Sequence, residues 1–351
     1  LIDNAVFGGD LAKAVEYLTP LRGKIDGLPA DVRVEAHQVM IEAAMRLDDL
    51  ALAKASLQAL REAQCPLPVI LSFEAQIHWF AGDLPAARTV FEALLVRHAD
   101  YCQGITIEND LAVVYFALGE LGAAEAMAQR SLKSWAGVAH TEALSLLVLG
   151  ATLTSLARFE EAAAALDRAE LLGRAQGSAR FVGEAQVRRA MLLWALGQDQ
   201  AAQRCALSAR ATCGQTVEAL RRSAVDLAIV LGGGARKDGL AMEASGRLAE
   251  LVEGARHPLA LVRCWRGIGA AAEAAGDRRR ALQAARRQEA VAACSGLAEW
   301  RCEALWRIAR QAGGAEAEGA RAEALALAHS MGFGCLLQRF EANEARRHAR
   351  G

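Results

Sequence analysis

"FAGDLPAARTVFEALL", from Phe80 to Leu95, is echoed by "ALGELGAAEAMAQRSL", which begins at Ala117. Both place an apolar residue, a glycine and an acid before a run that keeps alanine at a fixed offset. The same phrase stands as "GGDLAKAVEYL" at Gly9, "LDDLALAKASL" at Asp48, "LARFEEAAAAL" at Ala157, "LGQDQAAQRCA" at Gly197 and "AGDRRRALQAA" at Gly276. Successive anchors, with Gly82 and Gly119 included, are separated by 39, 34, 37, 38, 40 and 79 residues. The last interval is about twice the others, so a degenerate copy belongs between Gly197 and Gly276. "RRSAVDLAIVLGGGARKDGLAMEASGRLAEL" fills it, with an enlarged turn from Gly232 to Gly239. A ninth copy has Trp306 on its first helix and its turn at Gly313 and Gly314. A fixed period of this kind signals stacked supersecondary units rather than one large core.

Each unit reads as two helices. Glycine supplies backbone freedom after the first, and the acid that follows caps the second and suits its positive end. Five positions past the anchor stand Ala14, Ala53, Ala87, Ala124, Ala162, Ala202 and Ala281, small enough for two helix backbones to approach closely. Four positions further, Leu18, Leu57, Phe91 and Leu166 fall on the same face. Six prolines in 351 residues and 53% hydrophobic content agree with an all-helical chain that has ample apolar material.

This constellation resembles the tetratricopeptide repeat. The match includes the small residue early in the first helix (Ala112, Gly150, Gly269), the aromatic before the turn (Tyr115) and the small position in the second helix. The period, mostly 37 to 40, exceeds the family's usual length, and its closing proline is missing. Longer helices of this style resemble the sensor region of bacterial maltose-regulator-type and other signalling ATPases. The resemblance implies an all-α, right-handed superhelical solenoid of about nine helix-turn-helix repeats over residues 1–332. Residues 333–351 then form a closing helix and a basic tail. It also implies a non-enzymatic module that binds a protein, a peptide or a small-molecule inducer, as part of a larger transcription regulator or signalling ATPase. A free-standing adaptor that joins two proteins is the alternative.

No GxxxxGK[ST] occurs, and "LGGGARKDG" lacks the preceding strand that a phosphate loop requires, so it reads as an expanded inter-helix loop. Seven histidines form no HExxH or HxH, and eight cysteines form no CxxC, which gives no metal or cofactor reading and favours reduced thiols in a cytoplasmic protein. The formal charge is -1, divided into -9 before Gln176 and +8 from it onward (26 Lys+Arg against 18 Asp+Glu). The run "GDRRRALQAARRQEA" has no interleaved aromatics and falls on a second helix, so it reads as a solvated outer face without direct nucleic-acid binding. Apolar runs are too short to span a bilayer.

First helices should line the concave face, with inward positions about three, six, ten and thirteen residues before each turn. That register selects Met45, Trp79, Phe116, Thr154 and Trp194 as a row of large side chains. Beside them come Gln38, Glu42, Gln76, Asn109 and Met191, and a polar end with Arg222, Arg263 and Arg266. Aromatic anchors in a groove dominate binding energetics, so a ligand is expected over the stretch from Trp79 to Trp194, with the arginines receiving an acidic end.

Overall fold

The computed structural model describes residues 24–47, 49–102, 106–213, 219–233 and 239–348. The first repeat at Gly9, with Ala14 and Leu18, and the middle of the Gly232 to Gly239 turn lie outside the described residues. Apart from a 3-10 turn at Ile25–Gly27 and a single helical turn at Ala99–Cys102, the described chain consists of seventeen helices. They are α1 (Ala30–Arg46), α2 (Leu50–Glu62), α3 (Leu67–Ala81), α4 (Leu84–Arg97), α5 (Ile107–Leu118) and α6 (Leu121–Ser134). Then come α7 (Ala139–Ser155), α8 (Phe159–Ala175), α9 (Ala179–Ala195), α10 (Asp199–Cys213), α11 (Ala219–Gly233) and α12 (Gly239–Gly254). The last are α13 (Pro258–Ala275), α14 (Arg278–Cys294), α15 (Ala298–Gln311), α16 (Gly314–Met331) and α17 (Gly334–His348). No strand occurs among the described residues, and the protein is an all-α helical repeat solenoid of the tetratricopeptide-like kind.

The repeated phrase performs the work its chemistry suggests. Gly82, Gly119, Gly197 and Gly276 have φ of +82°, +82°, +73° and +77°, closing the first helix in the left-handed region. Three acids after the turn cap the next helix, Asp49, Asp83 and Asp277 accepting backbone N–H groups of Leu52, Ala86 and Arg280 at 3.0, 3.2 and 2.9 Å, whereas Glu120 after Gly119 makes no such cap and accepts from Arg88 instead. Ala53, Ala87, Ala124, Ala162, Ala202 and Ala281 are all fully buried, as are the Phe91 and Leu166 side chains that follow on the same face. Each helix packs on its successor, and odd-numbered helices also touch the next odd-numbered helix, so they form the inner layer. The arginines Arg278, Arg279, Arg280, Arg286 and Arg287 are exposed on α14, in the outer layer.

One feature exceeds the repeat pattern. The solenoid turns tightly enough that units five apart meet. The start of α13 lies against the end of α3, α15 against α5, and α17 against α7. A Cβ built at Gly82 would stand 2.2 Å from Pro258 Cδ, which shows how close the two superhelical turns come. The seam is apolar core: one cluster joins Leu84, Leu111 and Leu118 to Leu259, Val262 and Leu297. A second joins Leu121 to Trp306, Phe333 and Phe340. The tail expected merely to close the stack is thus a packed inner helix, with the Phe340 ring stacked on Trp306 at 4.0 Å.

Candidate functional site

Because the inner helices wrap through a full turn, they border a half-open cavity of about 270 Å³ on the concave side. Its longest wall is α9, which contributes Glu184, Val187, Arg188, Met191, Trp194 and Ala195, one stripe at helical spacing. Ala151, Thr154 and Ser155 come from α7, and Arg221, Ala224 and Leu227 from α11. Leu259 and Arg263 of α13, and Glu299, Trp300 and Glu303 of α15, stand across from them. Phe116 of α5 and Cys335, Leu336 and Arg339 of α17 complete the lining.

Charge in this cavity is organised into two clusters. At one end Glu184 lies 3.3 Å from Arg180 and 3.2 Å from Arg221. Burial pushes its carboxyl up, but Arg180, Arg221 and Arg188 together prevail and hold it down at about 2. Arg188 itself has no hydrogen bond and no ion pair among the described residues, and burial lowers its pKa. At the other end Glu303 accepts from Arg266 at 2.8 Å and from Arg339 at 3.4 Å. Burial raises its pKa, yet Arg266, Arg339 and Arg307 outweigh that and hold it at about 2. Arg339 lies 3.9 Å from the Trp194 ring centre and Arg266 5.5 Å, so this indole faces two guanidinium groups.

Glu299 is the exception. Its one side-chain partner is Ser155, whose Oγ donates to it at 3.0 Å, and no cation pairs with it. Burial raises its pKa to about 7, and Glu303 adds to the rise. Behind the wall, Arg307 donates to Glu273 at 2.8 Å and to Gln288 at 3.0 Å. A Cβ at Gly269 would come within 1.9 Å of its guanidinium, so the small residue of α13 makes room for an arginine rather than for a neighbouring helix.

The residues expected on the concave face divide among several places. Phe116, Met191, Trp194 and Arg263 line the cavity, as does Thr154, and Arg266 stands immediately behind Trp194. Arg222 is one position round the helix from the lining Arg221, because α11 presents Arg221, Ala224 and Leu227 inward. Trp79 lies in the seam: its ring meets His257 edge-on at 5.3 Å, and its carbonyl accepts from His257 Nε2 at 3.0 Å. Gln76 donates to Asp110 at 3.3 Å, and Asn109 is buried with no partner for its Oδ1. Met45 sits in the core of the first described unit, Gln38 lies beside the Cys65 thiol, and Glu42 is partly buried on α1. The stretch from Trp79 to Trp194 is therefore divided between the seam and the cavity.

Some lining residues had a signal that register counting could reach. Glu184 stands thirteen positions before Gly197, an inward position by the counting above. Others had none, since the repeated phrase offers no later anchor from which to count Cys335, Leu336 and Arg339. Among the described residues no cluster of His, Cys, Asp or Glu could hold a metal ion, and no helix is long and apolar enough to cross a membrane. Neither a family model nor a curated protein matches the chain. Among solved structures, its fold is similar to that of a Rap protein complexed with Competence and Sporulation Factor, with a TM-score of 0.67, 13% identity, and 94% of this chain and 96% of that chain covered.

Proposed function

We propose that this protein is a non-enzymatic sensor module that takes a small ligand or peptide end into the cavity bounded by α9 and α17, and passes its occupancy to a protein partner. The observation that carries the reading is the cavity itself: apolar walls from Trp194, Trp300 and Met191, with guanidinium groups from Arg188, Arg221, Arg263 and Arg339. Apolar surface with a few convergent polar groups is the usual make-up of a ligand site. Its volume of about 270 Å³ lies at the lower end of such sites, which favours a small ligand over a long extended peptide. The Rap protein of similar fold, solved with Competence and Sporulation Factor, supports a factor-binding role by analogy of fold. A place within a larger bacterial transcription regulator or signalling ATPase, as the repeat style implies, fits a module whose inner helices couple distant units. Ligand contacts on both sides of the cavity would favour one superhelical pitch and thereby change the outer surface offered to a partner.

Native mass spectrometry of protein purified gently from its own host tests this reading. A reproducible small-mass adduct on the natural chain, lost from Trp194→Ala and retained by Trp79→Ala, is the expected result. An unliganded chain that instead co-purifies only with an intact protein would transfer the assignment to a free-standing adaptor.

A further inference from the structure

Two ionisable groups in the cavity form no ion pair among the described residues, and they carry opposite signs. Arg188 projects from the middle of α9 with no ion pair among the described residues, because Glu184 is taken by Arg180 and Arg221. Glu299 projects from α15 with only the Ser155 hydroxyl on it, because Arg266 and Arg339 are taken by Glu303. Every other acid lining the cavity is ion-paired. A charge beside apolar walls without an ion pair of its own is costly, and a ligand of complementary charge lowers that cost at both places.

Their placement sets the spacing. Arg188 precedes Trp194 by six residues, about 9 Å along the axis of α9. Arg339, which stacks on Trp194, is also the cation that acts on Glu299, so Glu299 belongs to the Trp194 end. Between Arg188 and Trp194 on α9 stands Met191, and Ala195, Ala151 and Leu227 add apolar lining. Resting on the sensor reading above, we infer that the ligand is a small zwitterion, with its carboxylate on Arg188, its ammonium on Glu299 and an apolar body roughly 9 Å long against Met191 and Trp194. Peptides of two or three residues with free termini and non-peptide ω-amino acids share this chemistry, at about 3.3 Å per extended residue.

Glu299 faces Glu303 and Cys302 from its own helix, Ser155 from α7, and Arg339 and Cys335 from α17. The one guanidinium among these is held by Glu303, so a ligand ammonium would complete the set and draw Glu299 into its ionised form. Binding near neutral pH would then release a proton.

Isothermal titration calorimetry with the full chain tests the assignment. The probes are a pool of apolar tripeptides with free termini, the same pool N-acetylated or C-amidated, and 8-aminooctanoic acid. Saturable binding of a free zwitterion is expected, weakened tenfold or more by either block. Glu299→Gln should abolish the sensitivity to acetylation and spare that to amidation, and Arg188→Gln should do the reverse. Both substitutions leave the ion pairs of Glu184 and Glu303 in place, and circular dichroism checks the fold. Tripeptide binding without 8-aminooctanoic acid binding assigns the peptide source, and the opposite result assigns the non-peptide one. Equal binding of free and blocked probes, or no binding of any probe at millimolar concentration, overturns the inference. A Trp194-dependent host adduct lacking either charge overturns it too, while leaving the sensor reading intact; absence of any adduct removes that reading.

Discussion

Protons act on His257 and Glu299 with opposite sign, and both effects follow from what each side chain touches. The His257 ring accepts the Leu259 N–H through Nδ1 and donates to the Trp79 carbonyl through Nε2, an arrangement open only to the neutral ring. Burial, with Arg263 nearby, lowers its pKa from 6.5 to about 4. The unfolded chain binds the proton first, so this contribution is full above pH 6.5 and is lost as pH falls toward 4. Glu299 runs the other way, since a pKa raised to about 7 gives stability that is full below 4.5 and lost as pH rises through 7. Between pH 4.5 and 6.5 the two trends oppose one another. Glu299→Gln should therefore raise stability at pH 8 by roughly 1 to 2 kcal/mol after allowance for water in the cavity, seen as a higher thermal midpoint, and leave it unchanged at pH 4.5. Differential scanning calorimetry at both pH values checks this. Neither group was legible from the sequence: His257 matters through a carbonyl 178 residues away, and Glu299 through a serine 144 residues away.

At the scale of the helix pair, legibility was nearly complete, because cap, turn and interhelical contact all lie within one repeat. The exception at Ala157 is informative. It holds the place of a turn glycine and still adopts a φ of +62°, so the unit keeps its geometry at the expense of a strained residue. Ala157→Gly should raise stability by about 0.5 to 1 kcal/mol, the strain relieved being partly offset by greater freedom of the unfolded chain. Chemical denaturation monitored by circular dichroism reads the change. The alanine column gives the converse test: Ala124 is fully buried, and Ala124→Leu should destabilise by about 1 to 3 kcal/mol through overpacking. At Gly269 the local pattern misled, since the space saved there serves Arg307 and not a helix backbone. Gly269→Ala should displace the guanidinium from Glu273 and cost about 3 kcal/mol, measured in the same way.

For the whole molecule, the repeat period sets the stacking order and leaves the pitch undetermined. Pitch decides which units meet, and the meeting of units five apart creates both the seam and the cavity beside it. Gly82 and Gly276 separate the two levels experimentally. Both have positive φ at matching turns, but a Cβ at Gly276 meets nothing within 4 Å, whereas one at Gly82 meets Pro258. Gly276→Ala should cost about 1 kcal/mol from backbone strain alone. Gly82→Ala should cost about 1 to 3 kcal/mol more and speed hydrogen exchange in α13 as well as in α3. If the two variants match in stability and exchange, the seam contributes nothing at that point.

The seam also changes how the chain comes apart. In an open stack each unit leans only on its two neighbours, so ends fray and melting advances unit by unit. Here the clusters that join Leu84 to Leu259 and Leu121 to Phe333 fasten early units to late ones, as a spiral binding fastens the first page to the last. The middle of the chain should consequently melt together with both ends in a single cooperative step, and a molecule seated on the axis would be sensed by every coil at once.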